Sequence, residues 1–100
     1  MKTKDDFEKI IIGLLIELGE DEDNEELLKA NKDTTLYGRH GVLSSIELVS
    51  LINDVEDTVN TQLDLQLILA NEKAMSRKVS PFRSVKAFAN YVEDLVKEES

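Results

Sequence analysis

The sequence predicts an all-α fold, a small four-helix bundle with three longer helices, a short third helix and a long first loop. Three stretches space their apolar residues at the helical interval. One hundred residues suffice for one hydrophobic core and no second one. No repeat or low-complexity tract breaks the chain, and its single proline, Pro81, marks no linker.

The first helix is expected from about Asp5 to Leu18. Phe7, Ile10, Ile11, Leu14, Leu15 and Leu18 form its apolar stripe. Asp5, Asp6 and Glu8 sit near its start, where the helix dipole favours anions, and Gly19 is expected to stop it. Gly19 to about Leu43 then reads as a long loop, acidic at Glu20-Asp21-Glu22-Asp23 and containing a short helical turn at Glu25–Ala30. Leu36 and Tyr37 are expected to anchor its later part to the core.

The second helix is expected from about Ser45 to Asn60. Leu48, Leu51, Ile52, Val55 and Val59 share one stripe, with Ser50, Asn53, Asp54 and Asp57 opposite. Thr61–Ala70 carries Leu63, Leu65, Leu67 and Leu69 at a period of two, which predicts an extended connection anchored by some of these leucines. Asn71 can cap a short third helix through about Arg77. The fourth runs from near Ser84 to Lys97 on Val85, Phe88, Ala89, Val92, Leu95 and Val96. Phe82 extends that stripe backwards, and Ser80 or Ser84 is the candidate cap.

Composition excludes several functions. Twelve Lys+Arg against 21 Asp+Glu give a net charge of -9, which argues against nucleic acid and against electrostatic docking on anionic lipid. Basic protein surfaces are the natural electrostatic match. Without cysteine there is no disulfide, no thiolate metal site and no cysteine nucleophile. His40 is the only histidine, so a Ser-His-Asp triad or a two-histidine metal site has no basis. Gly38 and Gly41 are not followed by the Gly-Lys-Ser/Thr of a phosphate loop. The Ile10–Ile16 run is far short of a membrane span, and Asp5-Asp6 follow the first residues too closely for a signal peptide. The expectation is a soluble, cytoplasmic, monomeric, non-catalytic domain.

The informative stretch is Gly41-Val42-Leu43-Ser44-Ser45-Ile46-Glu47-Leu48. Ser44 and Glu47 have the spacing of a capping box, and Leu43 with Leu48 has that of a hydrophobic staple; both start the helix at the same residue. Ser44 then commits its hydroxyl to the backbone, and Ser45, in the first turn, keeps a free one. A phosphate-bearing group attached to Ser45 would lie among first-turn N–H groups at the positive end of the helix dipole. The plainer alternative is that Ser45 is a tolerated small polar residue.

Here the sequence resembles the acyl carrier protein family, whose second helix begins at an Asp-Ser-Leu motif followed by apolar residues and a Glu. Ser44-Ser45-Ile46 stands at that motif, and Val49, Leu51, Ile52, Val55 and Glu56 follow at the family's spacing. Leu36-Tyr37-Gly38 and Gly41-Val42-Leu43 are similar to the family's approach to the motif. Ser80-Pro81-Phe82-Arg83-Ser84-Val85 and Phe88–Leu95 resemble its fourth helix.

The resemblance covers nearly the whole chain and implies one carrier domain over residues 1–100, with the acyl-carrier type of bundle. It implies a covalent 4′-phosphopantetheine on Ser45, placed there by a phosphopantetheinyl transferase, and acyl cargo carried as thioesters for a lipid or specialised biosynthetic pathway. Its partners would be acyl-loading and acyl-transfer enzymes with basic docking surfaces, meeting Glu47, Asp54 and Asp57 with the apolar Ile46 and Val49. Leu48, Ile52 and Val92 are candidates to line a cleft sheltering the cargo.

Two departures stand out. The family's Asp before the serine, which helps the transferase and its metal engage, is Ser44 here, although Ser and Asp are comparable N-caps. The leucine-rich Thr61–Ala70 connection is long, which suggests a specialised carrier. An aminoacyl or peptidyl carrier, and a helical adaptor without cofactor, remain the alternatives.

Overall fold

Four helices make up most of the described chain: α1 (Lys4–Glu22), α2 (Glu25–Leu28), α3 (Ser45–Leu63) and α4 (Val85–Glu99). This computed structural model describes residues 3–70 and 81–99. Among them there is no strand, only an isolated antiparallel bridge between Thr35 and Ser84. The architecture is a small helical bundle in which α1 packs against α2, α3 and α4. Among the described residues no helix is long and apolar enough to cross a membrane.

The apolar stripes become the core. Phe7, Ile11 and Leu15 of α1, Leu51, Ile52, Val55 and Val59 of α3, and Val85, Phe88, Ala89, Val92, Leu95 and Val96 of α4 are all buried. Phe82 continues the α4 stripe, meeting Phe88 and Tyr91 edge-on with centroids 5.2 and 5.8 Å away. Ser84 caps α4: its Oγ accepts the Ala87 N–H at 3.1 Å. Ser80 lies outside the described residues.

Two helices run further than their sequence suggests. α1 passes through Gly19 to Glu22 and ends at Asp23 in the left-handed conformation, φ 55°. Gly19 serves packing instead of termination. A Cβ there would lie 2.8 Å from the Leu27 Cβ and 2.9 Å from the Leu28 N, so only glycine lets α2 dock this closely. α3 likewise extends past Asn60 to Leu63 and ends at Asp64, φ 54°. In both cases the next N–H closes back five residues, Asn24 onto Gly19 at 2.9 Å and Leu65 onto Asn60 at 3.0 Å.

The connection after α3 is therefore extended only from Leu65. Leu67 and Leu69 are buried, Leu63 and Leu65 half-buried, and Ile68 exposed. Side chains clamp its backbone: Asn60 Oδ1 accepts the Leu67 N–H at 2.8 Å and Asn60 Nδ2 donates to the Leu67 carbonyl at 3.1 Å. Glu56 Oε2 accepts the Leu69 N–H at 3.0 Å, and the Tyr91 hydroxyl donates to the Leu69 carbonyl at 2.6 Å. The expected helix from Asn71 to Arg77 lies outside the described residues. The fourth helix seen here is α2, at the position of the expected turn.

The long loop is ordered by backbone pairing. Residues 35–43 close on themselves as a loop, the Val42 N–H donating to the Thr35 carbonyl and the Leu43 N–H to the Leu36 carbonyl, both at 3.0 Å. Its other side pairs with the approach to α4, the Leu36 N–H donating to the Arg83 carbonyl at 2.7 Å and the Val85 N–H to the Thr34 carbonyl at 3.1 Å.

Candidate functional site

The site sits where this closed loop delivers the chain into α3. Gly41 sets the approach: a Cβ there would fall 2.6 Å from the Tyr37 Cα, a clash with backbone that no rotamer relieves. Gly41 also closes the tip by donating to the Gly38 carbonyl at 3.0 Å, with His40 left-handed at φ 69°. The tight tip brings Tyr37 back over the start of α3.

Ser44 is the N-cap, as its spacing predicts. Its Oγ accepts the Glu47 N–H at 3.2 Å, and Glu47 Oε1 accepts the Ser44 N–H at 2.9 Å, a reciprocal capping box. Leu43 is buried and Leu48 half-buried, both packed on the core. Ser45 follows in the first turn and is exposed. Its hydroxyl is not free as the sequence suggests: Ser45 Oγ lies 3.0 Å from the Tyr37 hydroxyl, hydrogen-bonded with either oxygen able to donate. Leu36, fully buried, anchors the loop. Tyr37, 44% exposed, instead serves this contact.

Apolar and acidic residues surround Ser45. Ile46 is 80% and Val49 57% exposed, an unusual degree for large aliphatic side chains one turn apart. Asp54 and Asp57 are exposed on the same helix. Glu47 is half-buried, and the α1 terminus places Glu22 against it. A hydrogen bond to Glu47 holds the Glu22 carboxyl above its ordinary range, assisted by burial and by the charges of Glu47 and Asp21. Glu47 is held below its ordinary range by that same bond and by the Ser44 backbone N–H. The two opposite shifts share one cause, the interaction between the two carboxyls, and belong to the pair.

Between α1 and α3 lies a hollow of about 110 Å³ lined by Leu14, Leu18, Ile46, Glu47, Ser50, Leu51 and Asp54. The residues expected to line a cleft are placed differently: Ile52 and Val92 are buried in the core and Leu48 is half-buried beside it. They fill the interior because α1 packs across them, leaving the hollow to Ile46 and Leu18 at the exposed margin.

Two contacts here escape sequence reasoning, Tyr37 with Ser45 and Glu22 with Glu47. The first needs the Gly38–Gly41 tip to reverse the chain, and the second needs α1 to continue past Gly19. Spacing along the chain signals neither. Comparison with protein-family models, with curated proteins and with solved structures returns no match for this chain.

Proposed function

We propose that this chain is an acyl carrier protein of a specialised kind, with 4′-phosphopantetheine attached through the Ser45 hydroxyl. The observation that carries the proposal is the division of labour at the start of α3. Ser44 meets the needs of the helix end, while Ser45 stands exposed beside it with its hydroxyl oriented by Tyr37. The residues fit the group. A phosphodiester on Ser45 Oγ would lie by the first-turn N–H groups of α3, which favour an anion. The exposed Ile46 and Val49 offer an apolar rim to a partner or a cargo.

When attached, the arm supplies the thiol that this cysteine-free chain lacks and holds cargo as a thioester. The chain's own part is positional. The capping box fixes the α3 terminus, and Tyr37 exchanges a hydrogen bond with the Ser45 hydroxyl before modification. Asp54 and Asp57, with the outer face of α3, present negative charge to a basic enzyme, including the transferase. The 110 Å³ hollow is below the roughly 300–1,000 Å³ of small-molecule sites, so α1 and α3 must part for it to shelter a long chain.

Incubation with coenzyme A and a phosphopantetheinyl transferase, followed by intact mass, tests the proposal. One arm added to the parent and none to Ser45→Ala is the expected result. Addition at Ser44 overturns the assignment to Ser45, and no addition with the transferase of the source organism overturns the proposal and returns the cofactor-free adaptor. The mass carried by protein purified from its own cell then separates acyl from aminoacyl cargo.

A further inference from the structure

Four of the chain's 12 basic residues line one cleft. Lys32, Arg39, Arg83 and Lys86 face a space of about 660 Å³ in which Asp33 is the one acid. In a protein of net charge -9 this is a local reversal of sign. Among the described residues none of the four cations forms an ion pair.

The cleft is built by backbone pairing. The segment carrying Lys32 and Thr35 is joined to that carrying Arg83 and Lys86 by the Leu36–Arg83 and Val85–Thr34 bonds and by the Lys86 N–H donating to the Lys32 carbonyl at 3.0 Å. The charged side chains take no part in this pairing and stay available. Tyr37 forms one wall, and its hydroxyl is the group bonded to Ser45 Oγ at 3.0 Å.

We propose that this cleft is a binding site for a small phosphorylated ligand bearing at least two negative charges. Two guanidinium forks match phosphate oxygens bidentately and two ammonium groups add point charges, more than a single carboxylate can use. The volume falls within the roughly 300–1,000 Å³ of small-molecule sites. The chain's overall charge selects for small size. A nucleic acid or an acidic protein surface would bring its remaining charge against the acidic surround, whereas a small anion meets only the local field, screened beyond about 8 Å at 0.15 M salt. The site does not depend on modification of Ser45, which is not among the residues lining it.

Amide chemical shifts followed during titration with inorganic pyrophosphate at constant ionic strength test the proposal. Saturable shifts at Thr35, Gly38, Arg39, Ser84 and Lys86 are expected. Arg83→Gln with Lys86→Gln should weaken binding about tenfold or more, because two charge-assisted contacts are lost. Both side chains are exposed and only their backbones pair, so the thermal melt should hold. Lys9→Gln with Lys29→Gln removes equal charge elsewhere and should leave binding unchanged, as should Ser45→Ala. Shifts that fail to saturate overturn the proposal, as does equal weakening by the two double variants. Loss of binding in Ser45→Ala alone relocates the anion to the α3 terminus and also overturns it. So do cleft shifts that follow protein concentration instead of pyrophosphate, which would mark docking between copies.

Discussion

Replacing Tyr91 by Phe removes a single oxygen from the centre of the molecule. Tyr91 and Leu69 are fully buried, and the Tyr91 hydroxyl donates to the Leu69 carbonyl at 2.6 Å. The phenyl ring that remains keeps its edge-on contact with Phe82, at 5.8 Å and 89°. A net hydrogen bond contributes about 1 kcal/mol, but leaving its buried partner unsatisfied costs about 1–3 kcal/mol. The second figure applies here, because the carbonyl left behind belongs to a buried residue. For a domain of this size each kcal/mol moves the midpoint by about 4–8 °C, so a loss of about 2 kcal/mol lowers it by about 8–16 °C. Melts by circular dichroism measure the shift, and urea unfolding should show a lower midpoint with an unchanged slope. The Leu69 N–H keeps its bond to Glu56, so the segment should loosen locally and its amides exchange faster without the core opening. A midpoint within about 2 °C of the parent would refute the claim that this bond holds the connection to α4.

Ser44→Ala removes the acceptor of the Glu47 N–H and should cost about 1 kcal/mol in urea melts, while Ser44→Asp should be close to neutral. Glu22→Gln removes the charge that Glu47 opposes. Because the Glu22 pKa is raised in the fold, its protonated form favours folding at low pH and that contribution is lost as pH rises through the folded value. Glu47, lowered, works the other way, its contribution lost as pH falls below its ordinary value. The variant should therefore melt higher than the parent at pH 7, with the advantage shrinking toward pH 4; a difference independent of pH counts against the paired carboxyls. Asp54→Lys with Asp57→Lys should leave the melt nearly unchanged, since exposed charges contribute little to folding, yet slow phosphopantetheinylation. Raising salt should slow the parent in the same direction, and equal rates at low salt would show that this face is only solvated surface.

Periodicity and capping chemistry are local, and where they acted alone the sequence was sufficient. It determined the three long helices and their buried faces, and it placed the α3 start at Ser44 because box and staple are short-range patterns that coincide there. It also placed Ser45 in the first turn, though not the bond its hydroxyl makes to Tyr37. The tertiary structure decided the rest. Gly19 reads as a stop because glycine disfavours helix, but α2 packs against it and contact outweighs propensity. The sequence offers a helical turn and two anchors for the long loop but not its pairing, because those bonds run to residues about 50 positions away, a separation no local pattern encodes. The same bonds gather Lys32, Arg39, Arg83 and Lys86 into one basic cleft, although their spacing in an acidic sequence is that of scattered surface charge. Tyr37 meets Ser45 for a related reason: the chain reverses at Gly41, and a hydrogen bond between two exposed side chains leaves no trace in hydrophobic pattern.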